Sequence, residues 1–284
     1  MLPTVIYYLI FSYVPMYGLI VAFQDFSFTK GIWGSKFVGF EHFFTFFDSI
    51  FFYRLIKNTI LLSLFTLLVA FPIPIIFALL LNEVRLKKFR NTIQTISYFP
   101  HFVSIVIVVG MMHILLSPET GIFNHLLGFL GIEPIAFMQS SLWFRPLYVI
   151  SHVWQSFGWA SIIYLAALTG VPPDLYEAAE IDGAGRFQMI MHISIPYIMP
   201  TIVILFILAV GGLMDVGYEK ILLMYNPGIY EVSDVISTYV YRKSIVGGEY
   251  SFGTAIGLFN NVINFILIIT VNYISRRVSN VSLW

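Results

Sequence analysis

The sequence contains no cysteine, which excludes disulfide bridges and thiolate metal sites. Charge is scarce. Asp, Glu, Lys and Arg make up 11% of the 284 residues, against about 25% in an ordinary soluble domain. The charges balance at 15 basic and 15 acidic, so there is no basic footprint for nucleic acid. No G-x-x-x-x-G-K-[ST] loop occurs, and with it goes the usual cradle for nucleotide phosphates. The six histidines, His42, His101, His113, His125, His152 and His192, fall in no H-E-x-x-H spacing, which favours packing roles over metal ligation. No nucleophile motif is present, so no enzyme active site is expected. The chain starts on an apolar stretch without a basic leader or a small-residue cleavage site, so a cleavable signal peptide is not expected. A cytoplasmic tail ahead of these residues is allowed for.

What remains is apolar. Hydrophobic residues make up 58% of the chain and aromatics 18%, with 28 Phe and 17 Tyr. Six windows lack Asp, Glu, Lys and Arg altogether: residues 1–24, 58–82, 91–118, 146–173, 187–214 and 250–275. Each exceeds the ~20 residues needed to cross a ~30 Å hydrocarbon core. Unpaired peptide groups are costly in lipid, so such spans are helical; barrel strands are shorter and alternate apolar with polar, which these windows do not. The expected fold is an all-α membrane protein with one transmembrane domain over residues 1–284. Six helices span at about 2–23, 58–82, 97–117, 146–170, 195–215 and 251–275. Total Lys and Arg on the two sides do not decide the orientation. The short loop N-E-V-R-L-K-K-F-R-N after the second window and the Arg276-Arg277 pair after the last place both termini inside, by the positive-inside rule.

Between the fourth and fifth windows lies Y-E-A-A-E-I-D-G-A-G-R-F-Q-M-I-M-H-I-S-I-P (Tyr176–Pro196). Pro172 and Pro173 precede it. Asp174 with Glu177 three residues on has capping-box spacing, Ala178 and Ala179 favour helix, and Asp182-Gly183 ends it with Gly183 free to take positive φ. A second short helix presents Phe187, Ile190 and Met191, and Pro196 starts or kinks the next span. The expectation is a charged helix–turn–helix bracket over 174–194 on the inner surface, its small residues open to a partner.

Glu177-Ala178-Ala179, then Gly183, then Ile193 and Pro196 after a nine-residue spacer, resembles the EAA signature of binding-protein-dependent ABC importer permeases. Ile195 stands where that signature has Leu. The extension I-D-G-A-G-R-F resembles the sugar-permease variant. The stretches Y-V-P-M-Y-G-L-I-V-A-F-Q-D-F and L-L-M-Y-N-P-G-I-Y-E-V-S-D-V-I-S-T-Y-V-Y-R are similar to the Gram-positive branch that takes up oligosaccharides and polysaccharide fragments. The resemblance implies a type I importer fold in the cell membrane of a Gram-positive bacterium. It implies a second homologous permease subunit, two cytoplasmic ABC ATPases and an extracellular substrate-binding lipoprotein, embedded in membrane lipid. This chain then binds no cofactor, ATP and Mg being held by the ATPase. Asp174, Glu177, Ala178, Ala179, Asp182, Gly183, Ile193 and Pro196 then form the element that couples to the ATPase.

Other features stay open between two readings. Asn260 and Asn264 share a helix face and serve either interhelical hydrogen bonds or a polar wall for sugar hydroxyls. Trp154 and Gln155 serve either the same passage, an aromatic face stacking on sugar rings, or anchoring. The stretch 230–242 reads as an amphipathic outer helix whose other face is Ser, Asp and Thr, and the Phe-rich loop 25–57 as lying partly in the interface or against the partner permease. A same-fold permease for a non-sugar solute is the alternative function. A self-contained channel or secondary transporter is disfavoured, because the windows offer no acid or base beyond His for an ion relay.

Overall fold

The computed structural model describes residues 2–279 and 281–283. Helix α1 (Leu2–Phe23) winds partly as π- and 3₁₀-turns around Pro15, which lacks the N–H an α-helix needs there. Only 6% of its apolar stretch is buried within the chain. A two-residue ladder follows, β1 (Gln24–Asp25) antiparallel to β2 (Lys36–Phe37) with Gln24 opposite Phe37. A short helix, Glu41–Phe47, buries Phe46. Of the Phe-rich loop, Phe46 turns inward and joins Leu55, Met214, Ile236, Tyr239, Phe252 and Ile256 in one core cluster, whereas Phe28, Phe37, Phe40 and Phe44 are exposed.

Helix α2 (Phe52–Asn82) is interrupted only at Phe71, before Pro72. Helices α3 (Lys87–Phe102) and α4 (Ile105–Leu115) follow, then α5 (Ser141–Leu168), α6 (Pro173–Ile181) and α7 (Arg186–Gly211). Helix α8 (Tyr218–Met224), α9 (Ile236–Val240) and α10 (Tyr250–Ser279) complete the chain. Helices α1, α2, α7 and α10 are both long and apolar enough to cross a membrane. At 28 residues α5 is long enough at ~1.5 Å per residue, but Arg145, His152, Gln155 and its serines make it less apolar. It is the central helix, packed on α2, α3 and α7.

The third span departs from the straight helix expected over 97–117. Helices α3 and α4 meet at 98°, and with the bent pair taken as one span the long apolar helices number five. The break falls after Pro100, where Val103 is extended. Helix α5 secures it from one side. Gln155 Nε2 donates to the freed Val103 carbonyl at 2.7 Å, and Trp159 stacks on His101 at 4.7 Å between ring centres. Gly158 brings the backbones together: a Cβ there would lie 2.1 Å from the Ser97 carbonyl oxygen.

The segment 230–242 is not one amphipathic helix. It turns at Asp234 and Val235 between Tyr230–Ser233 and α9. Ser233, Asp234 and Thr238 are fully buried together with Val235 and Ile236. The polar face expected to meet water is instead consumed by Asp234, which accepts from Arg242 at 2.7 Å and Arg54 at 3.1 Å and from the Thr238 hydroxyl at 3.0 Å. A buried carboxylate is tolerable when paired this way.

Candidate functional site

Helices α5 and α7 each run uninterrupted between two distinct features. At the C-terminal end of α5 and the N-terminal end of α7 lies the bracket. Helix α6 begins two residues earlier than capping spacing suggests. Pro173 opens it, because its fixed φ and missing N–H suit a first helical position. Pro172 takes the cap position and no side-chain cap bond forms. Asp174 therefore caps nothing and sits in the first turn, where its carboxylate meets the positive end of the helix dipole. The C-terminal end follows expectation. Gly183 has φ 81°; its N–H reaches the Glu180 carbonyl at 3.1 Å and the Ala184 N–H reaches Ala179 at 2.9 Å. Those two bonds are the Schellman pair that closes a helix.

The second arm starts at Gly185, whose N–H is taken by the Gln188 side chain at 2.8 Å. It continues without a break into α7. The π-turn Ile190–Ser194 just before Pro196 absorbs the N–H that proline lacks. Tyr176 pins the arms together through the Ser194 hydroxyl at 2.9 Å. Tyr197 donates to the Gly170 carbonyl at 2.6 Å, tying α7 to the end of α5. Ala179, Asp182, Gly183 and Ile193 line one concavity, with Gln188 and Met189. Glu177 and Ala178 are exposed beside it, as are Ile181 at 87% and Phe187 at 74%. Acids and bare apolar groups on one small rigid bracket make a surface suited to a protein partner.

The second feature is a cavity of about 650 Å³. Tyr148, His152, Ser156 and Ala160 recur every four residues on α5 and so form a single stripe. Ser63, Thr66 and Phe71 of α2 face it, as do Gly212, Asp215 and Val216 at the end of α7 and Tyr218, Glu219 and Lys220 of α8. Trp154, Gln155, Asn260 and Asn264 are absent from this wall. Gln155 serves the break after α3 and Trp154 is 42% exposed. Asn260 and Asn264 donate to the two carboxylate oxygens of Asp215, each at 3.0 Å. Asn264 also accepts from the Met214 N–H at 3.0 Å. They hold Asp215, which in turn faces the cavity.

A family model, the binding-protein-dependent transport system inner membrane component, matches residues 70–280. The chain belongs to this family. The permease is 44% identical over 276 residues to the polygalacturonan/rhamnogalacturonan transport system permease protein YteP of Bacillus subtilis (strain 168), a match covering 97% of this chain and 86% of the relative. It is similar to a chain of a bacterial alginate ABC transporter crystallised in complex with an alginate pentasaccharide-bound periplasmic protein. There the TM-score is 0.91 at 45% identity, over 99% of this chain and 94% of that one. A further structure, of a bacterial ABC transporter involved in the import of the acidic polysaccharide alginate, gives TM-score 0.91 at 46% identity over 98% and 94%.

Two parts of the permease escape a reading of its sequence. The Asp234 cluster joins residues up to 180 apart: Asn58 Nδ2 donates to the Asp234 and Glu231 carbonyls, and Arg145 donates to Asn58 Oδ1 at 2.9 Å. Lys220 is the other. It is 4% exposed, donates to the Tyr148 carbonyl at 2.9 Å and sits 4.6 Å from the centre of the Tyr148 ring. Burial pushes its ammonium down to about 7. No periodicity or motif marks Lys220, and the helical periodicity over 230–242 turns Asp234 towards water rather than towards its arginines.

Proposed function

We propose that this chain is one of two permease subunits of an ATP-driven importer for oligosaccharides or polysaccharide fragments in the plasma membrane of a Gram-positive bacterium. A lipoprotein delivers the sugar outside. Two ATPases dock inside and hold the ATP and Mg. The observation that carries this reading is that α5 and α7 link the exposed bracket to the walls of the cavity. Ala160 on the cavity stripe and Leu168 at the end of α5 are eight residues apart, about 12 Å along the helix, and a four-residue turn joins Leu168 to Pro173 at the start of the bracket. A rigid-body shift of an ATPase under Glu177–Gly183 tilts both helices and so reshapes the cavity. Coupling needs such an element, biased from both ends. The relatives' substrates support a saccharide, and hydroxyl and aromatic groups along the cavity offer what sugar rings bind.

In this reading six segments span, α3 and α4 together forming the third, with both termini inside and Arg85, Lys87, Lys88 and Arg90 on the cytoplasmic face. The cavity, with Asp215 held by Asn260 and Asn264, is the passage. The test is purification of the chain from its native membrane. The expected companions are an ABC ATPase, a second permease and a lipoprotein. Isolation as a lone chain that transports without ATP would overturn the reading. Orientation is checked by cysteines in this cysteine-free chain: at Lys87 and Gly183 they are shielded from an impermeant thiol reagent in intact cells, and at Gly128 and Gly248 they label. The reverse pattern would refute it.

A further inference from the structure

Lys220 is a buried amine without a counter-charge. Its ammonium has three donors. One goes to the Tyr148 carbonyl and the Tyr148 ring covers one side. The ion pairs among the described residues are Arg54–Asp234, Arg242–Asp234 and Lys243–Glu249, so no carboxylate lies within ion-pair distance of Lys220. Two acids share its cavity, but Asp215 is engaged by Asn260 and Asn264 and Glu219 is exposed. The contrast with Asp234 is direct: that buried charge receives two arginines, whereas Lys220 receives a neutral carbonyl and an open cavity. Leaving a buried charge uncompensated costs several kcal/mol, a cost relieved when an anion arrives.

The chemistry of that anion follows from the wall. Tyr218, 40% exposed, offers an aromatic face, and Thr66 and Ser156 offer hydroxyls, which suit a sugar ring. One ammonium beside Asp215 and Glu219 suits a single negative charge better than a dianionic phosphate. We propose that Lys220 is the charge-selecting contact of the passage, receiving the carboxylate of a uronate-containing saccharide as it crosses. This rests on the cavity being the passage.

The experiment uses the whole importer, reconstituted in proteoliposomes with its binding protein. Uptake is compared for a galacturonate oligosaccharide and its methyl ester, each normalised to the ATPase stimulation its loaded binding protein gives. A hydrogen bond to a charged group makes about a tenfold or larger difference. Lys220→Met and Lys220→Gln are therefore expected to lower the acid-to-ester uptake ratio about tenfold, and Lys220→Arg to retain it. An unchanged ratio in Met and Gln overturns the proposal. So does an equal loss of both sugars, or failure of both variants to assemble, since either makes Lys220 a packing residue. Ala160→Trp, which puts a bulky ring into the cavity stripe and narrows it, tests the underlying reading separately: wild-type uptake of both sugars in that variant means the cavity is not the passage.

Discussion

Gly183 offers a graded test of coupling, because its requirement is conformational and nothing else. Its φ of 81° is left-handed, and a Cβ placed on it meets no atom within 4 Å. Substitution therefore creates no clash. It costs only the price of the left-handed turn, about 1–2 kcal/mol for an ordinary L-residue, less for Asn and more for a β-branched side chain. Both Schellman bonds depend on that turn. With ~1.4 kcal/mol per factor of ten, Gly183→Val lowers the fraction of brackets in the docking shape about tenfold or more, while Gly183→Asn stays near wild type. The assay is ATPase activity of the reconstituted complex with and without loaded binding protein, beside sugar uptake. The expected order of stimulation is Gly, Asn, Ala, Val, with membrane insertion equal in all four. Wild-type stimulation and uptake in the Val variant would refute the assignment of the bracket as the coupling element.

Three further outcomes are expected elsewhere. Asp234→Asn leaves Arg54 and Arg242 without their buried partner and lowers the thermal midpoint of the purified complex; loss of one member of a buried pair costs about 3–5 kcal/mol, and because the arginines keep 33% and 28% exposure the lower end applies. Asn264→Leu strips partners from the buried Met214 N–H and from Asp215, about 1–3 kcal/mol. It reduces the yield of detergent-extracted complex, and normal yield with lost uptake would move Asn264 to the passage instead. Gly158→Val drives a side chain into the Ser97 backbone and abolishes assembly, which size-exclusion chromatography detects; an intact complex would contradict the close packing of α3 on α5.

Much of this was legible in the pattern of charge. Long windows without Asp, Glu, Lys or Arg mark α1, α2, α7 and α10, because lipid tolerates little else. The bracket was legible too, since Gly183 and its flanking alanines obey local rules of helix termination. The exception there is Asp174, displaced from the cap by Pro173. Tertiary features were not legible. The 98° break needs Gly158 and Gln155 of another helix to exist, and a hydropathy window cannot see across helices. The polar face of 230–242 looks solvated until Arg54 and Arg242 are found beside Asp234. Lys220 looks like a loop charge because only the tertiary packing of α8, on α4 and against Tyr148 of α5, buries it. Asn260 and Asn264 carried two readings on sequence alone, and Asp215 shows which polar groups they reach.

The central claim, that this chain carries saccharide inward under the drive of an ATPase it does not itself contain, is tested most directly by uptake into proteoliposomes holding the full complex. A labelled uronate oligosaccharide is presented on its binding protein with ATP enclosed. The account predicts accumulation against a gradient that needs ATP, binding protein and this chain together, and that Glu177→Lys in the bracket abolishes. Accumulation that persists without ATP or without the binding protein would contradict it.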